Sequence, residues 1–457
     1  MRSTDNDQKT LKKRYDPLRP SLQRLIAAAD YLVDDHVGIV REVKEVPTDA
    51  GSPDFFHFSA QACNTRAFSQ QDNFGSTGGA SSSRDQAIAK AIGEAVERYC
   101  SALYDVESLS LFSSQSAPFP HVPPHEFALY SREQYDQLAF PWVPFNALTP
   151  VRWTPAVDLV TKESVFVPAA LVFVPYYFYR GSGDAPITQP ISTGLACHCS
   201  LAEAELAGIY EVIERDAFTI MWQAQLSMPQ IRVETLSDAN YDLVQRFEKA
   251  GHHVTLLNLT LDSGVPTVLS VLTNEMSSAP AFVFAASANL NPEEAVRKSL
   301  EELAHTRRYS QQIHSRLPRL VVETDHANVT DQISHLNFWC DHANAQLAKF
   351  VFASEKRVGF DELVDRSTEV PSRNLEIVVE QVRVIGHKVL VAELTTPDIH
   401  SLGLAVVRAL IPGFHPLFMG HQIRALGGDR LWSVPQRLGY SGIVEATGDN
   451  PVPHPYP

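Results

Sequence analysis

Cations are in deficit along this 457-residue chain: 38 Lys and Arg face 53 Asp and Glu, leaving a formal charge of −15. No basic block stands out beyond "LKKR" near the start, so a partner bound through its phosphate backbone, such as nucleic acid, is not expected. Cysteine is sparse too. Five thiols, at positions 63, 100, 197, 199 and 340, are odd in number and unpatterned, which argues against a disulfide framework and predicts reduced side chains. Cys197-His198-Cys199 crowds three metal ligands into one tripeptide with no second ligand pair at usual spacing, and reads as buried thiols rather than a zinc site. The longest apolar run, "VFVPAALVFVPYYF" from Val165 to Phe178, is too short to span a bilayer and is broken by Pro168 and Pro175. It predicts a buried strand pair with a turn. The N-terminus has no apolar signal core, so a cytoplasmic location is expected, with no membrane partner. Phosphate-binding signatures are missing as well: neither GxxxxGK[ST], nor GxGxxG, nor the kinase catalytic-loop pattern occurs.

What remains is ordinary globular composition, 44% hydrophobic and 20% charged. Residues 1–16 are polar and read as a flexible N-terminus. Residues 17–75 form an N-terminal segment packed on the core, where "SLQRLIAAADYLV" has helical periodicity and "DDHVGIVREVKEV" has β-branched alternation. "DNFGSTGGASSS", Asp72 to Ser83, is a Gly/Ser loop leading into a strong helix. Residues 111–150 are rich in Pro and aromatics and suggest an irregular but packed surface segment. A helix is predicted near Arg373 to Ile385, followed by strands in "HKVLVAELTT" and "LGLAVVRALIPGF". The alternation indicates a mixed α/β chain, with residues 76–445 as the main domain and 446–457 as a Pro-rich tail.

Within that domain one pattern recurs. In "AIGEAVERYC", residues 91 to 100, Ala91, Ile92, Ala95, Val96 and Tyr99 share one half of a helix, while Glu94, Glu97 and Arg98 share the other. "GIYEVIERDA", residues 208 to 217, repeats the two glutamates and the arginine as Glu211, Glu214 and Arg215. Segments Ser83 to Arg98 and Ser200 to Arg215 align without a gap, each opening on a capping-box pattern, Ser83 to Gln86 and Ser200 to Glu203. "NPEEAVRKSLEELAHTRR" fits the same frame, with Asn291 as N-cap, Glu294 completing a box, Glu302 in register with Glu94 and Glu211, and His305 at the place of Glu97 and Glu214. A single such helix is adequately explained as amphipathic with a solvated Glu-Arg pair. Three on one frame suggest carboxylates converging on a shared place, where magnesium would find hard oxygen ligands and Arg98, Arg215 and Arg297 would meet phosphate oxygens. A glycosidase pair fits less well, because two carboxyls flanking a sugar do not require three repeated helices.

The blocks "GGASSSRDQAIAKAIGEAVERYC", "STGLACHCSLAEAELAGIYEVIERDAF", "NPEEAVRKSLEELAHTRR" and "VLVAELTTPDIHSLGLAVVRALIPGF" resemble, in order, successive blocks of the YcaO family, from about Gly78 to the C-terminus. The resemblance implies the YcaO fold, of the α/β (mixed α+β) class, with internally repeated helix/strand units around an ATP cleft. It implies ATP and Mg as cofactors, with Glu94, Glu97, Glu203, Glu211, Glu214, Arg215, Glu302 and Arg297 binding them and Glu94, Glu97, Glu211 and Glu214 holding the magnesium. Thr77-Gly78-Gly79-Ala80 departs from the GKG loop of many members, Lys90 stands where some have serine, and His198 replaces a common glycine.

The tail "NPVPHPYP" sets Pro451, Pro453, Pro455 and Pro457 in alternation. A Pro-rich end is ordinarily a stiff, solvated segment or a ligand for another domain. A stiff tail also costs little entropy to thread into a site, and a PxPxP end resembles the azoline-forming cyclodehydratases, whose terminus reaches the active site. That likeness implies conversion of Cys, Ser or Thr in a ribosomally made precursor peptide to thiazolines or oxazolines, with Pro455 and the Pro457 carboxylate as catalytic candidates. It also implies a separate leader-binding, E1-like (ocin-ThiF-type) partner and a flavin-dependent azoline dehydrogenase. A homodimer is the default assembly. Thioamide or amidine formation by the same ATP site, and a non-catalytic nucleotide-binding accessory role, are the alternatives.

Overall fold

The computed structural model describes residues 21–49, 51–444 and 448–456. The predicted flexible terminus, 1–16, and the last residue of the tail, Pro457, lie outside the described residues. In chain order the elements begin with α1 (Ser21–Leu32), β1 (Val40–Glu45), β2 (Phe56–Ala62), β3 (Ser76–Ser81), α2 (Arg84–Ser101), β4 (Ser110–Ser113), α3 (Arg132–Tyr135), β5 (Pro150–Asp158), β6 (Ser164–Pro168) and β7 (Leu195–His198). They continue with α4 (Leu201–Gln223), β8 (Gln230–Ile231), α5 (Asp238–Lys249), β9 (His253–Asn258), β10 (Thr267–Thr273), β11 (Phe282–Ala288) and α6 (Pro292–Arg316). The chain closes with α7 (Gln332–Cys340), β12 (Arg357–Val358), α8 (Pro371–Val384), β13 (Leu390–Glu393), α9 (Pro397–Ser401), β14 (Ala405–Leu410) and α10 (Asp429–Arg437).

Three sheets result: β1-β2-β3, β11-β10-β9-β8-β12, and β4-β5-β13-β14-β7 with β6 alongside β5. Pairing is antiparallel except between β8 and β12. Each long helix of the repeated frame covers a sheet. Helix α2 lays Ala87, Ala91, Ile92, Ala95 and Val96 on the first sheet with Phe58 and Ala60, and α6 lays Ala295, Val296, Leu300 and Leu303 on the second with Val268 and Val283. Helix α4 serves two sheets. Its first half, including Ile209, Val212 and Ile213, packs with Val391, Val407 and Ala409 of the third sheet, and its second half, including Phe218, Met221 and Trp222, packs with Leu269, Val271 and Phe284 of the second. Helix α4 is therefore buried over most of its circumference, and the polar stripe Glu211, Glu214, Arg215 falls where the two sheets change over.

Several expectations are corrected. The Gly/Ser loop contains β3, because Ser76 to Ser81 pair along β2, so one sheet straddles the expected boundary at residue 75. The run Val165 to Phe178 holds one strand, not two: β6 ends at Pro168, a short 3₁₀ turn spans Ala169–Leu171, and the rest is irregular although Phe173, Val174 and Tyr176 are buried. Pro168 and Pro175 lack the N–H a second ladder requires. None of the three capping boxes forms in full. Ser83 makes no side-chain cap bond, and Glu294 turns to Arg297 while Asn291 caps through the Glu293 N–H. At α4 the Ser200 hydroxyl accepts from the Glu203 N–H, but the Glu203 carboxylate accepts from that same hydroxyl rather than from the Ser200 backbone. All five cysteines are free. Cys197-His198-Cys199 forms no metal cluster among the described residues, where the sole grouping of possible ligands is the exposed Asp34, Asp35 and His36.

Candidate active site

The three helices deliver their polar stripes to one cleft. On α2, Glu94 accepts from the Gly78 N–H at 3.2 Å and pairs with Arg98 at 3.1 Å. One turn on, Glu97 accepts from the Cys197 N–H at 2.7 Å, which ties α2 to β7. On α4, Glu211 accepts from the Gly194 N–H at 2.7 Å and pairs with Arg215 at 3.3 Å, and Arg215 also reaches Glu214 at 3.5 Å. The same device thus appears twice: a helix glutamate accepts from a glycine N–H, Gly78 in β3 and Gly194 in the turn before β7, while the arginine four residues on holds its other oxygen. Both glycines are closely approached. A Cβ on Gly78 would stand 2.6 Å from the His305 ring, and Gly194 has φ +87° with the Ala409 carbonyl 2.3 Å from where its Cβ would be.

Electrostatics join the helices into one cluster. Removal from water raises the Glu97 carboxyl well above its usual range, and Glu94 and Glu211 push it the same way. Glu214 is pushed up to about 7, first by burial and then by Glu211 and Glu302, against the opposing pull of Arg215 and Tyr456. Arg408, from the middle of β14, faces Glu211 and Arg98, and burial draws its guanidinium down to about 10. Formally, five glutamates (94, 97, 211, 214, 302) against three arginines (98, 215, 408) leave −5 + 3 = −2 in one partly dehydrated place. Like charges held together out of water are unfavourable unless a cation shares them. The donor set is all carboxylate oxygen, which suits Mg²⁺, and the three guanidiniums interleaved with it suit phosphate oxygens.

The tail completes the cleft. From Asn450 to Tyr456 it runs buried: the Trp222 and Trp339 indole N–H groups donate to the Val452 and Pro453 carbonyls, and His335 contacts the His454 carbonyl. Tyr456 stacks on Phe218, lies under the Arg215 guanidinium at 4.6 Å, and donates its phenol to Glu214 at 2.5 Å. It accepts in turn from the Ala286 N–H of β11. Pro455 is part of this buried run.

Not all predicted site residues meet there. Glu203 sits more than two helical turns from Glu211, bonded to Ser21, Ser200 and His198, and these contacts outweigh burial to hold it near 2. Arg297 belongs to a second cluster, paired with Glu294 and Glu301 and bonded to Gln86. The centre of that cluster, Glu301, went unnoticed in the sequence. It is fully buried, accepts from Ser81, Ser82, Lys90 and Arg297, and is held near 2 by Lys90 and Arg297 despite its burial. Lys90 also donates to the Ala80 carbonyl, so the Gly-Gly-Ala loop that lacks a lysine of its own receives one from α2. Arg408 and Tyr456 were likewise missed. A lone charge inside the apolar run "AVVRAL" was the available signal for the first, and the single aromatic hydroxyl in a proline tail for the second.

A family model described as YcaO cyclodehydratase, ATP- and Mg²⁺-binding, matches residues 78–415. The chain belongs to the YcaO family. This YcaO protein is 31% identical over 287 residues to an uncharacterised protein of Methanothermobacter thermautotrophicus, covering 60% of this chain and 70% of that one. Among solved structures it resembles a heterocyclase in complex with substrate and cofactor, with TM-score 0.78, 21% identity and 98% of this chain covered. It spans 61% of that heterocyclase, less than two thirds of its length. YcaO from Methanopyrus kandleri, bound with AMPPCP and Mg²⁺, superposes with TM-score 0.59 at 21% identity, covering 89% of this chain and 91% of that one. The likenesses to solved structures confirm the mixed helix and sheet fold. The family's description carries ATP and Mg²⁺ as ligands, and the donor set described above fits both. Among the described residues no helix is long and apolar enough to cross a membrane.

Proposed function

We propose that this YcaO protein converts Cys, Ser or Thr residues of a ribosomally made precursor peptide to azolines. The observation that carries this reading is the buried proline tail, which brings Tyr456 onto Glu214 beside the carboxylate cluster. The nucleophile is the substrate's own side chain. Its sulfur or oxygen gives up its proton and attacks the preceding amide carbon, the amide oxygen takes the γ-phosphoryl group of ATP with release of ADP, and phosphate then leaves with that oxygen as the ring C=N bond forms and the amide nitrogen loses its proton. Mg²⁺ neutralises phosphate charge when bound. The chain's part is to fix geometry and charge: Glu94, Glu97, Glu211 and Glu214 would hold the metal, Glu302 lies beside them, and Arg98 and Arg215 would stabilise negative charge as it develops. Glu203, Arg297 and the Glu301–Lys90 pair brace the surrounding loops. The Pro457 carboxylate, one residue past Tyr456, is our candidate for moving the proton.

The precursor's leader is recognised, in this reading, by a separate E1-like partner, and a flavin dehydrogenase oxidises azolines afterwards. Full processing of a precursor by this chain alone would refute the first of these. Magnesium-dependent ATP hydrolysis by wild type, Glu94→Gln and Glu214→Gln tests the site itself. Loss in both folded variants is expected, and equal rates in all three would return those glutamates to a structural role. Deleting residues 451–457 separates the outcomes: product formation that survives the deletion favours thioamide or amidine chemistry over azoline formation.

A further inference from the structure

A half-enclosed cavity of about 100 Å³ lies between the irregular segment around residues 127–130 and 188–193 and the chain leaving β14 at 408–418. Most of its wall is apolar, including Leu129, Leu171, Ile191, Leu410, Phe414 and Leu417. Its inner end is formed by Thr193, Val212 and Arg408, immediate neighbours of the Gly194 N–H and the Glu211 carboxylate of the cleft.

Three buried polar groups on this wall have no hydrogen-bond partner among the described residues. They are the Arg408 Nε and Nη1, the Gln189 Oε1 and the His415 Nδ1. Arg408 is 4% exposed and His415 1%. His415 Nε2 faces the Gly428 carbonyl at 3.3 Å, so it carries the proton and leaves Nδ1 as an acceptor. One forked donor and two acceptors therefore line an otherwise apolar space. Buried polar atoms are nearly always paired, so such a set marks a place where a ligand supplies the missing partners. A polypeptide backbone offers that complement: carbonyl oxygen for the guanidinium, N–H groups for the glutamine and histidine, and side chains for the apolar wall.

We propose that this cavity binds the segment of the substrate peptide flanking the modified residue, with Arg408 donating to a backbone carbonyl at the end nearest Glu211. This rests on the nucleotide reading of the cleft. The test uses the full chain with Mg²⁺ and two photoprobes, acetyl-Val-Cys-benzoylphenylalanine amide and 2-azido-ATP, with adducts mapped by mass spectrometry. Peptide adducts are expected on residues 127–130 and 408–418, and to fall at least fivefold in Leu171→Trp, which fills the cavity. Gln189→Leu, which removes one acceptor at nearly constant volume, should reduce them as well, and it stands in if Leu171→Trp fails to fold by circular dichroism. Nucleotide adducts on those same segments, or peptide adducts elsewhere and insensitive to either variant, overturn the proposal. Azido-ATP labelling at the carboxylate cleft without peptide in the cavity overturns this inference alone. No Mg-dependent azido-ATP labelling at all overturns the nucleotide reading, and the cavity's role as a substrate site with it.

Discussion

Replacing Tyr456 by Phe isolates the bond by which the tail holds the cleft. The ring stays, so its stacking on Phe218 and the Arg215 guanidinium above it are retained. What is lost is one hydroxyl with two partners. Above pH 7, where Glu214 is ionised, the bond to it is charge-assisted, a kind worth about 1.5–3 kcal/mol. The Ala286 N–H that donated to the phenol at 3.1 Å is left without that partner inside the fold, which costs about 1–3 kcal/mol. Relaxation recovers some of this, and roughly 2–4 kcal/mol of tail docking should disappear. At 1.4 kcal/mol per tenfold, even the lower figure raises the undocked population about 30-fold. Global denaturation is a poor gauge of so local a change in a chain of this length. Amide hydrogen exchange of Val452, His454 and Tyr456 reports the local opening directly. Exchange at least about 30-fold faster in Tyr456→Phe is expected, with α2 and α6 unchanged. Protection within threefold of wild type would refute the claim that the phenol anchors the tail.

Acid should loosen the same tail. Burial lowers the pKa of His335 to about 4 and of His421 to about 2, and puts His454 well below its usual value. Because these folded values lie below the unfolded 6.5, the unfolded state takes up protons first and stability falls as pH drops through 6.5. Each fully buried histidine then contributes about 1.4 kcal/mol of loss by pH 5.5. Thermal scans at pH 7.5 and 5.5 should show His454→Gln closing its gap to wild type as the pH falls, and an unchanged gap would count against it. Glu301→Gln leaves Lys90 without a carboxylate partner and Arg297 with Glu294 alone, and should cost several kcal/mol of stability, about 3–5 as for other broken buried pairs. A midpoint shift in urea worth less than 1 kcal/mol would show Glu301 to be dispensable. Asp216→Asn strips Arg430, 3% exposed, of a carboxylate that it grips through Nε and Nη2. A loss of similar size is expected, and Asp216→Asn/Arg430→Met should recover part of it, since an apolar side chain carries no unpaired charge; a double variant no better than the single one would contradict this.

Which parts of the site could be read from the sequence follows from where each residue sits. The doubled glutamates of α2 and α4 were legible because a helix buried on one side keeps its polar residues in a stripe, so spacing alone put Glu94 with Glu97 and Glu211 with Glu214 on one face. On the third helix Glu302 stays near the cluster, where Glu214 feels its charge, but its neighbour went unread. Registering Glu302 with Glu94 and Glu211 drew attention from Glu301, which a rotation of about 100° turns away from the cleft and toward the β3 loop. The same rotation carries Arg297 to Glu301 and away from Glu302. Spacing along one helix cannot show this, because the partner that decides the matter, Ser81 with Ser82, is 220 residues earlier in the chain.

Arg408 and the tail show the other limit, in which composition points the wrong way. Strand β14 is buried and apolar on both sides of Arg408, so propensity and pattern describe it as core. A fixed cation belongs in such a strand only if charge is waiting beside it. The charge beside it is Glu211, which opposes the effect of burial on the Arg408 guanidinium. The tail inverts the case: four prolines and one histidine among its last seven residues read as solvated chain, yet Val452, His454 and Tyr456 are buried, the last two almost completely. Proline makes that burial feasible, because each one removes a backbone N–H that would otherwise need a partner in the core. The carbonyls that remain at 452, 453 and 454 meet Trp222, Trp339 and His335. A tail of this composition is therefore suited to lying inside a protein, and the three side chains that receive it mark the route by which it reaches Glu214.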